Sequence, residues 1–440
     1  MLIGPEVVEA GEASSRLFGF VNLLYAILGM VLYQDALTSA ARTLRGAPTL
    51  EPGQSEISNT ISQAILLCGL IIFLWTHRRA LARATRPLLP VLLLIALCLL
   101  SFAWSEFPAV TIRRSGSLAI CMFFGVYCYY QFGFTKTIEM MANTTAVLAV
   151  LSLATYFLLP SIGRETAITY QNAIRGVYSQ KNTIGLAMLI ASNYWLYAFF
   201  AGRKLGFMSL VGMLATLACL VLSFSATSLL IFFVLFGLHL SNYARRSWRL
   251  RLVLIFGITV VLLVLAVIVI AAPSEVLGLF GRDLSFTGRV PLWQESIKAW
   301  LARPILGYGY AAFWNQDSVL VQGIWKDIDW NAPDAHNGYI DVLLQLGAVG
   351  FALCLWMWGK VIGGTFRARK RGFSDTSWLV GFILISVLMN LDEGSQPSAD
   401  EYALFLPLIL LALGRVPRMP FRAASKHTFD EADLVPAASE

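Results

Sequence analysis

The sequence predicts an all-α, polytopic membrane protein of about twelve transmembrane helices. Three observations predict this class. Of the 440 residues, 57% are hydrophobic and 13% charged, far outside the composition of water-soluble domains. Apolar runs recur along the chain, mostly of about 16 to 22 residues, the length a helix needs to cross a hydrocarbon core of roughly 30 Å. These runs are continuous Leu, Val, Ile, Phe and Ala, without the alternation of a membrane barrel, so helices are the spanning element.

In chain order the spans fall near 17–38, 61–76, 87–103, 110–131, 139–160, 182–200, 207–223, 226–241, 252–272, 337–358, 376–391 and 402–414. The short loops "HRRALARATR" (77–86), "NYARRSWRLR" (242–251) and "GKVIGGTFRARKRG" (359–372) are strongly basic. Lys and Arg at helix ends resist translocation, so these loops belong in the cytoplasm, and both termini with them. The loops at 39–60, 104–109, 161–181, 273–336 and 392–401 then face outward. The net charge of +7 is explained by this topology and calls for no nucleic-acid partner, because the arginines are dispersed over loops facing a membrane surface. The start "MLIGPEVVEAGEASSR" lacks the pattern of a cleaved leader, so the first span is expected to be retained. All six cysteines lie in expected spans, which excludes a disulfide framework in the external loops.

The chain therefore divides into residues 1–272 with nine spans, an external loop at 273–336, residues 337–415 with three spans, and a polar tail at 416–440 expected to be disordered. The external loop is too long to be a mere connection and too aromatic to be disordered. Within it, "TGRVPLWQESIKAWLARP" (287–304) reads as a helix: Thr287 caps it, Pro291 suits its first turn, and Val290, Trp293, Ile297, Trp300 and Leu301 recur at helical spacing. Packing or an interfacial position accounts for the tryptophans. Arg289 stands at the N-terminal end, where free N–H groups and the helix dipole already favour an anion; the bland alternative is a surface ion pair with Asp283 or Glu295. In "ILGYGYAAFW" (305–314), Tyr308, Tyr310, Phe313 and Trp314 offer flat faces that suit a sugar ring or a lipid interface.

Two more polar islands face outward. "YQNAIRGVYSQKNTIG" (170–185) gathers Arg175, Gln180, Lys181 and Asn182, either as a binding surface or as interface anchors. "WSEFPAVTIRRSGS" (104–117) puts Arg113 and Arg114 in the first turns of a span, where a charge is costly and usually faces the protein interior. Three arginine-bearing islands on one face point to a pocket for a polyanion such as a pyrophosphate, which guanidinium groups clamp with paired hydrogen bonds.

His336, one of four histidines, lies in "PDAHNG", a turn followed by a greasy helix on which His336, Ile340, Leu343 and Gly347 share a face. Gly347 and Gly350 allow close packing there. A neutral imidazole beside cations is a workable general base for a sugar hydroxyl; a structural histidine is the alternative. No histidine or cysteine cluster has metal-ligand spacing, the carboxylates Asp327, Asp329, Asp334 and Asp341 form no ligand pattern, and no phosphate-binding glycine loop is present, so neither a metal nor a nucleotide cofactor is implied.

"TGRVPLWQESIKAWLARPILGYGYAAFW" followed by "AHNGYIDVLLQLGAVG" resembles the signature of the O-antigen ligase and Wzy-type polymerase superfamily, and "RPILGYGYAAFW" resembles its ExoQ-like exopolysaccharide polymerases. "WSEFP" and "GVYSQKN" look similar too, so the resemblance runs from about residue 100 to 355, while the last two spans match in hydropathy only. The resemblance implies a GT-C-like membrane glycosyltransferase of the bacterial inner membrane, with a periplasmic active site and no metal, cofactor or nucleotide sugar. Its donor would be a glycan on undecaprenyl pyrophosphate. His336 would activate the acceptor hydroxyl; Arg289, Arg175 and, in preference to Arg113, Arg114 would hold the pyrophosphate, with Lys181, Asn182 and Asn337 in support. The reaction would invert the donor's anomeric carbon, and export or chain-length proteins are candidate partners.

Two other readings remain. A ligase passing finished glycan to lipid A core would share the donor chemistry. A transporter or flippase of polysaccharide precursors would need mid-membrane charges and an internal repeat, neither of which stands out.

Overall fold

The computed structural model describes residues 5–34, 36, 57–165, 172–244, 249, 252, 289–373, 375–391 and 401–415. Among them the chain is helical, with a single isolated bridge between Arg164 and Ile174 and no strand. Among the described residues six segments are long and apolar enough to cross a membrane: Ala84–Ala103, Pro108–Phe132, Phe134–Leu158, Lys181–Phe200, Ala226–Tyr243 and Gly338–Lys370. Five shorter apolar helices accompany them: Gly19–Leu32, Gln63–Thr76, Phe207–Leu222, Thr376–Met389 and Ala403–Leu413. The protein is thus an all-α, multi-pass membrane protein. Of the expected spans, the ninth (252–272) lies outside the described residues but for Leu252, as do Thr287, Asp283 and the tail at 416–440.

Large apolar side chains on these helices point outward, among them Ile72, Trp75, Val147, Phe233 and Leu355, as lipid rather than water requires. The interior is dense and aromatic. Tyr25, Phe73, Phe124 and Tyr127 meet edge to face or stacked, and Trp378, Phe382 and Phe405 form a second cluster. Small residues let helices approach: Gly125 lies against the Leu404 backbone, where a Cβ would collide.

Buried polar groups in this bundle serve as clasps. Asn193 donates to the Trp378 carbonyl at 3.0 Å, and its carbonyl oxygen meets His239 Nε2 at 3.0 Å, which joins three helices. At another junction the buried Asp375 carboxylate accepts from Thr135 Oγ1, Tyr197 Oη and Arg203 Nη2. Such groups lose stability when left without partners, and in these two clasps the Asn193 amide and the Asp375 carboxylate each bridge neighbouring helices.

Residues 289–344 form a cap with a core of their own, made of Leu292, Ala299, Tyr308, Phe313, Trp314, Val321, Ile324, Ala332, Ala335 and Leu344. It holds the helices Arg289–Ala302 and Val319–Ile328. The first is the described part of the helix expected over 287–304 and stops before Pro304.

The long helix Gly338–Lys370 is broken at Gly347, whose φ of 63° and ψ of −164° are non-helical. Backbone groups freed by the break are taken up by the segment 304–309: Tyr308 N–H donates to Leu344 O (2.8 Å), Gly309 N–H to Gln345 O (2.9 Å), Ala348 N–H to Pro304 O (2.8 Å) and Val349 N–H to Ile305 O (3.2 Å). Interrupted helices persist in membrane proteins only where other backbone satisfies them in this way. The break fastens the cap to the bundle.

Candidate functional site

The head of this broken helix carries His336. Asn337 is the N-cap, its side-chain oxygen accepting from Tyr339 N–H (3.1 Å) and Ile340 N–H (3.2 Å). The helix begins at Gly338, so His336 does not share a helical face with Ile340 and Leu343 as the spacing predicts. It precedes the cap, in left-handed backbone at φ 46°. Asp334 supports that conformation by accepting from His336 N–H at 2.7 Å, and its Oδ1 lies 3.7 Å from His336 Nδ1.

Three further contacts fix the imidazole and its loop. The Trp330 ring stacks on it, centroids 5.2 Å apart and planes 15° from parallel. Asp341, buried to 3% exposure, accepts from Ala335 N–H (3.1 Å) and from Trp314 Nε1 (2.8 Å) through one oxygen, while its other oxygen has no hydrogen-bond partner among the described residues. On the opposite side Trp293 Nε1 donates to Ala335 O at 2.9 Å. Residue 335 is thus gripped from both sides, and His336 projects beyond it with 14% of its side chain exposed.

Arg289 begins the helix that carries Trp293. Four residues separate them, about 6 Å along the axis and on the same face, so the structure brings the Arg289 end of the cap to the His336 loop. Glu295, offered by the sequence as an ion-pair partner of Arg289, pairs with Lys298 at 2.6 Å.

The island at 104–117 joins the cap. Trp104 Nε1 donates to Leu306 O (3.1 Å), Tyr310 N–H to Ser101 Oγ (2.9 Å), and Gly309, at φ 102°, sits against Ser105. Arg113 and Arg114, both exposed, stand in the second turn of the helix Pro108–Phe132 that follows this junction. The island at 172–182 is organised differently. Arg175 is buried, and its Nε and Nη2 donate to Ile162 O (2.9 Å) and Ser161 O (3.1 Å). Glu165 accepts from the Lys181 N–H at 3.0 Å, at the start of the helix that also carries Asn182. The Arg175 guanidinium and the Lys181 N–H thus gather around 161–165, with Asn182 next on the helix that Lys181 starts.

The sugar-facing role that the sequence allows Tyr308, Tyr310, Phe313 and Trp314 does not survive. All four are at most 9% exposed, because they build the cores beneath the cap. Burial pushes the Tyr308 phenol up, against the Arg303 guanidinium stacked 4.7 Å over its ring. Trp325 and Trp330 instead stay partly exposed and line an open cleft; their signal in the sequence is "IWKDIDWNAPDAH", two tryptophans just ahead of the histidine. Asp341 was weighed only as a metal ligand. Among the described residues no three His, Cys, Asp or Glu gather as a metal site.

A multi-pass helical membrane protein with a polar cap over a broken helix is the class that fold and site define. Within it, residues 210–355 match the O-antigen ligase family. The chain is also 27% identical over 289 residues to the exopolysaccharide production protein ExoQ of Rhizobium meliloti (strain 1021), an alignment covering 62% of this chain and 66%, just under two thirds, of that relative. The stretch matched to the O-antigen ligase family spans the positions of Arg289, His336 and Gly347. The resemblance read from the cap motifs therefore holds for both the ligase family and ExoQ.

Proposed function

We propose that this protein is a membrane glycosyltransferase that polymerises exopolysaccharide repeat units carried on undecaprenyl pyrophosphate, working from the periplasmic face. The observation that carries the reading is the grip on Ala335 by Trp293 and Asp341, which sets His336 beside the Arg289 end of the cap inside the family-matched segment.

In this reading His336 takes the proton from the acceptor hydroxyl as its oxygen attacks the donor's anomeric carbon, and the bond to the pyrophosphate oxygen breaks from the opposite side, inverting the centre. Arg289 and Arg114 stabilise the charge gathering on the departing pyrophosphate. Arg175, with Nε and Nη2 committed to carbonyls, contributes its remaining N–H groups and its charge, with Lys181 and Asn182 in support. Asp334 and the Trp330 ring hold the imidazole, and Asn337 holds the helix behind it. The likeness to a protein of exopolysaccharide production fits the polymerase reading, while the family's O-antigen ligase description fits the second reading, transfer of finished glycan to lipid A core.

The test is direct. Purified protein given a lipid-linked repeat unit is expected to form polymer and release the lipid pyrophosphate; no product under those conditions removes the transferase reading, a transporter included among what is left. In a deletion strain, single repeat units remaining on the carrier support the polymerase, and long chains left on the carrier support the ligase.

A further inference from the structure

Beside His336 the cap carries an open cleft of about 600 Å³ lined by Gln322, Trp325, Lys326, Asp329, Trp330 and Asn331. Its volume lies within the roughly 300–1,000 Å³ of ordinary small-molecule sites. Trp330 belongs to both places: it lines the cleft and stacks on the His336 imidazole. One indole therefore separates the cleft from the histidine.

The lining has a definite chemistry. Trp325 is fixed, its Nε1 donating to Ala332 O at 2.9 Å, so its ring is a preset wall rather than a mobile side chain. Asp329 ends the Val319–Ile328 helix in left-handed backbone, φ 52°, which turns the chain sharply enough to bring Trp330 and Asn331 back beside Trp325. Among the described residues no aliphatic side chain lines the cleft, which disfavours an acyl chain. Its one cation among them, Lys326, is matched by one anion, Asp329, which disfavours a pyrophosphate. What remains is two flat indoles with two carboxamides and a balanced pair of charges, a set that matches the apolar faces and many hydroxyls of a neutral sugar.

We infer that this cleft is a sugar subsite for the acceptor glycan, holding a residue next to the one whose hydroxyl His336 deprotonates. The inference rests on the transferase reading for its role, though not for the binding itself. It separates the two substrates: the donor's pyrophosphate goes to the arginines, and the acceptor's neutral sugars go to the tryptophans.

The experiment uses the full chain in lipid nanodiscs and a lipid-free oligosaccharide cut from the host's own exopolysaccharide, followed by saturation-transfer NMR and tryptophan fluorescence. Saturable binding is expected, weakened about tenfold in the Gln322→Ala/Asn331→Ala double variant and more in Trp325→Ala. The double variant changes exposed side chains only, so it tests the cleft even if Trp325→Ala fails to fold. In the polymerisation assay the double variant is expected to raise the acceptor KM about tenfold with kcat nearly unchanged. Absence of binding, or equal affinity in wild type and double variant, overturns the subsite. Polymerisation with an unchanged acceptor KM overturns the subsite and leaves the transferase reading standing. Variant-sensitive binding by a protein that makes no polymer does the reverse.

Discussion

Two histidines of this chain sit in opposite settings. His239, in the bundle, is 1% exposed, lies on a regular helix and shares its Nε2 with the Asn193 side chain, which in turn holds the Trp378 carbonyl. His336, in the cap, stands in left-handed backbone, flat against an indole, beside two carboxylates and the open cleft. The bundle spends polar side chains on joining helices, in closed groups such as Asn193 with His239 or Asp375 with Thr135, Tyr197 and Arg203. The cap instead turns its polar side chains on its own backbone, at the N-cap Asn337 and in the grip of Trp293 and Asp341 on Ala335, and docks through the break at Gly347. A polar group that only joins helices is replaceable by packing; one held at strain and within reach of a ligand is not.

The sharpest way to break this comparison is to remove each ring. His336→Ala is expected to lower polymer formation by about 10²–10⁴-fold, the usual contribution of a general base, with the protein made and inserted at normal levels. Undiminished polymer from a normally inserted variant would return His336 to the class of His239. Arg289→Lys follows, with an expected loss of about a hundredfold, since an ammonium keeps the charge but not the fork that grips two phosphate oxygens. Near-normal turnover in that variant would make Arg289 a surface cation.

Next comes the junction between the two regions. Gly347→Ala puts a side chain at φ 63° and drives its Cβ into the Ile305 carbonyl, so about 2 kcal/mol of stability should be lost, read as a lowered Tm in detergent. Because the break fastens the cap to the bundle, activity should fall in parallel. An unchanged Tm would mean that the helix can straighten and the cap docks by other means. His239→Ala is smaller, about 1–2 kcal/mol, because Asn193 keeps its bond to Trp378 and loses one partner only. Its polymer yield per folded molecule should match wild type.

The bundle was largely legible in the sequence because a span announces itself: continuous apolar residues of membrane length can do little else. The cap was legible in its helix at 289–302, where Pro291, the apolar spacing and Pro304 agree, and in "AHNG", where a lone histidine before a cap residue stands out. What escaped depended on partners far along the chain. Gly347 read as a close-packing glycine, and it is one, but its break follows from carbonyls and amides at 304–309, some forty positions away, that no local pattern encodes. Tyr308 through Trp314 read as display surfaces because an aromatic cluster looks the same whether it faces a ligand or fills a core. Arg175 reads as one more cation in a polar island, and its turn toward the carbonyls of Ile162 and Ser161 depends on a segment more than ten positions earlier.

The smallest expected effect concerns Asn337, whose two possible duties lie on either side of the comparison. As an N-cap it satisfies Tyr339 and Ile340 N–H, and Asn337→Ala should cost about 1 kcal/mol of stability. As a polar neighbour of His336 it would touch substrate. Asn337→Ser separates the two, because a serine hydroxyl caps a helix about as well but lacks the amide's reach. Tm and polymer yield both restored by serine make Asn337 a positioning residue that keeps the loop of His336 in register. A restored Tm with polymer still depressed places its amide in the site, and the polar surface of the cap then extends one residue past the histidine.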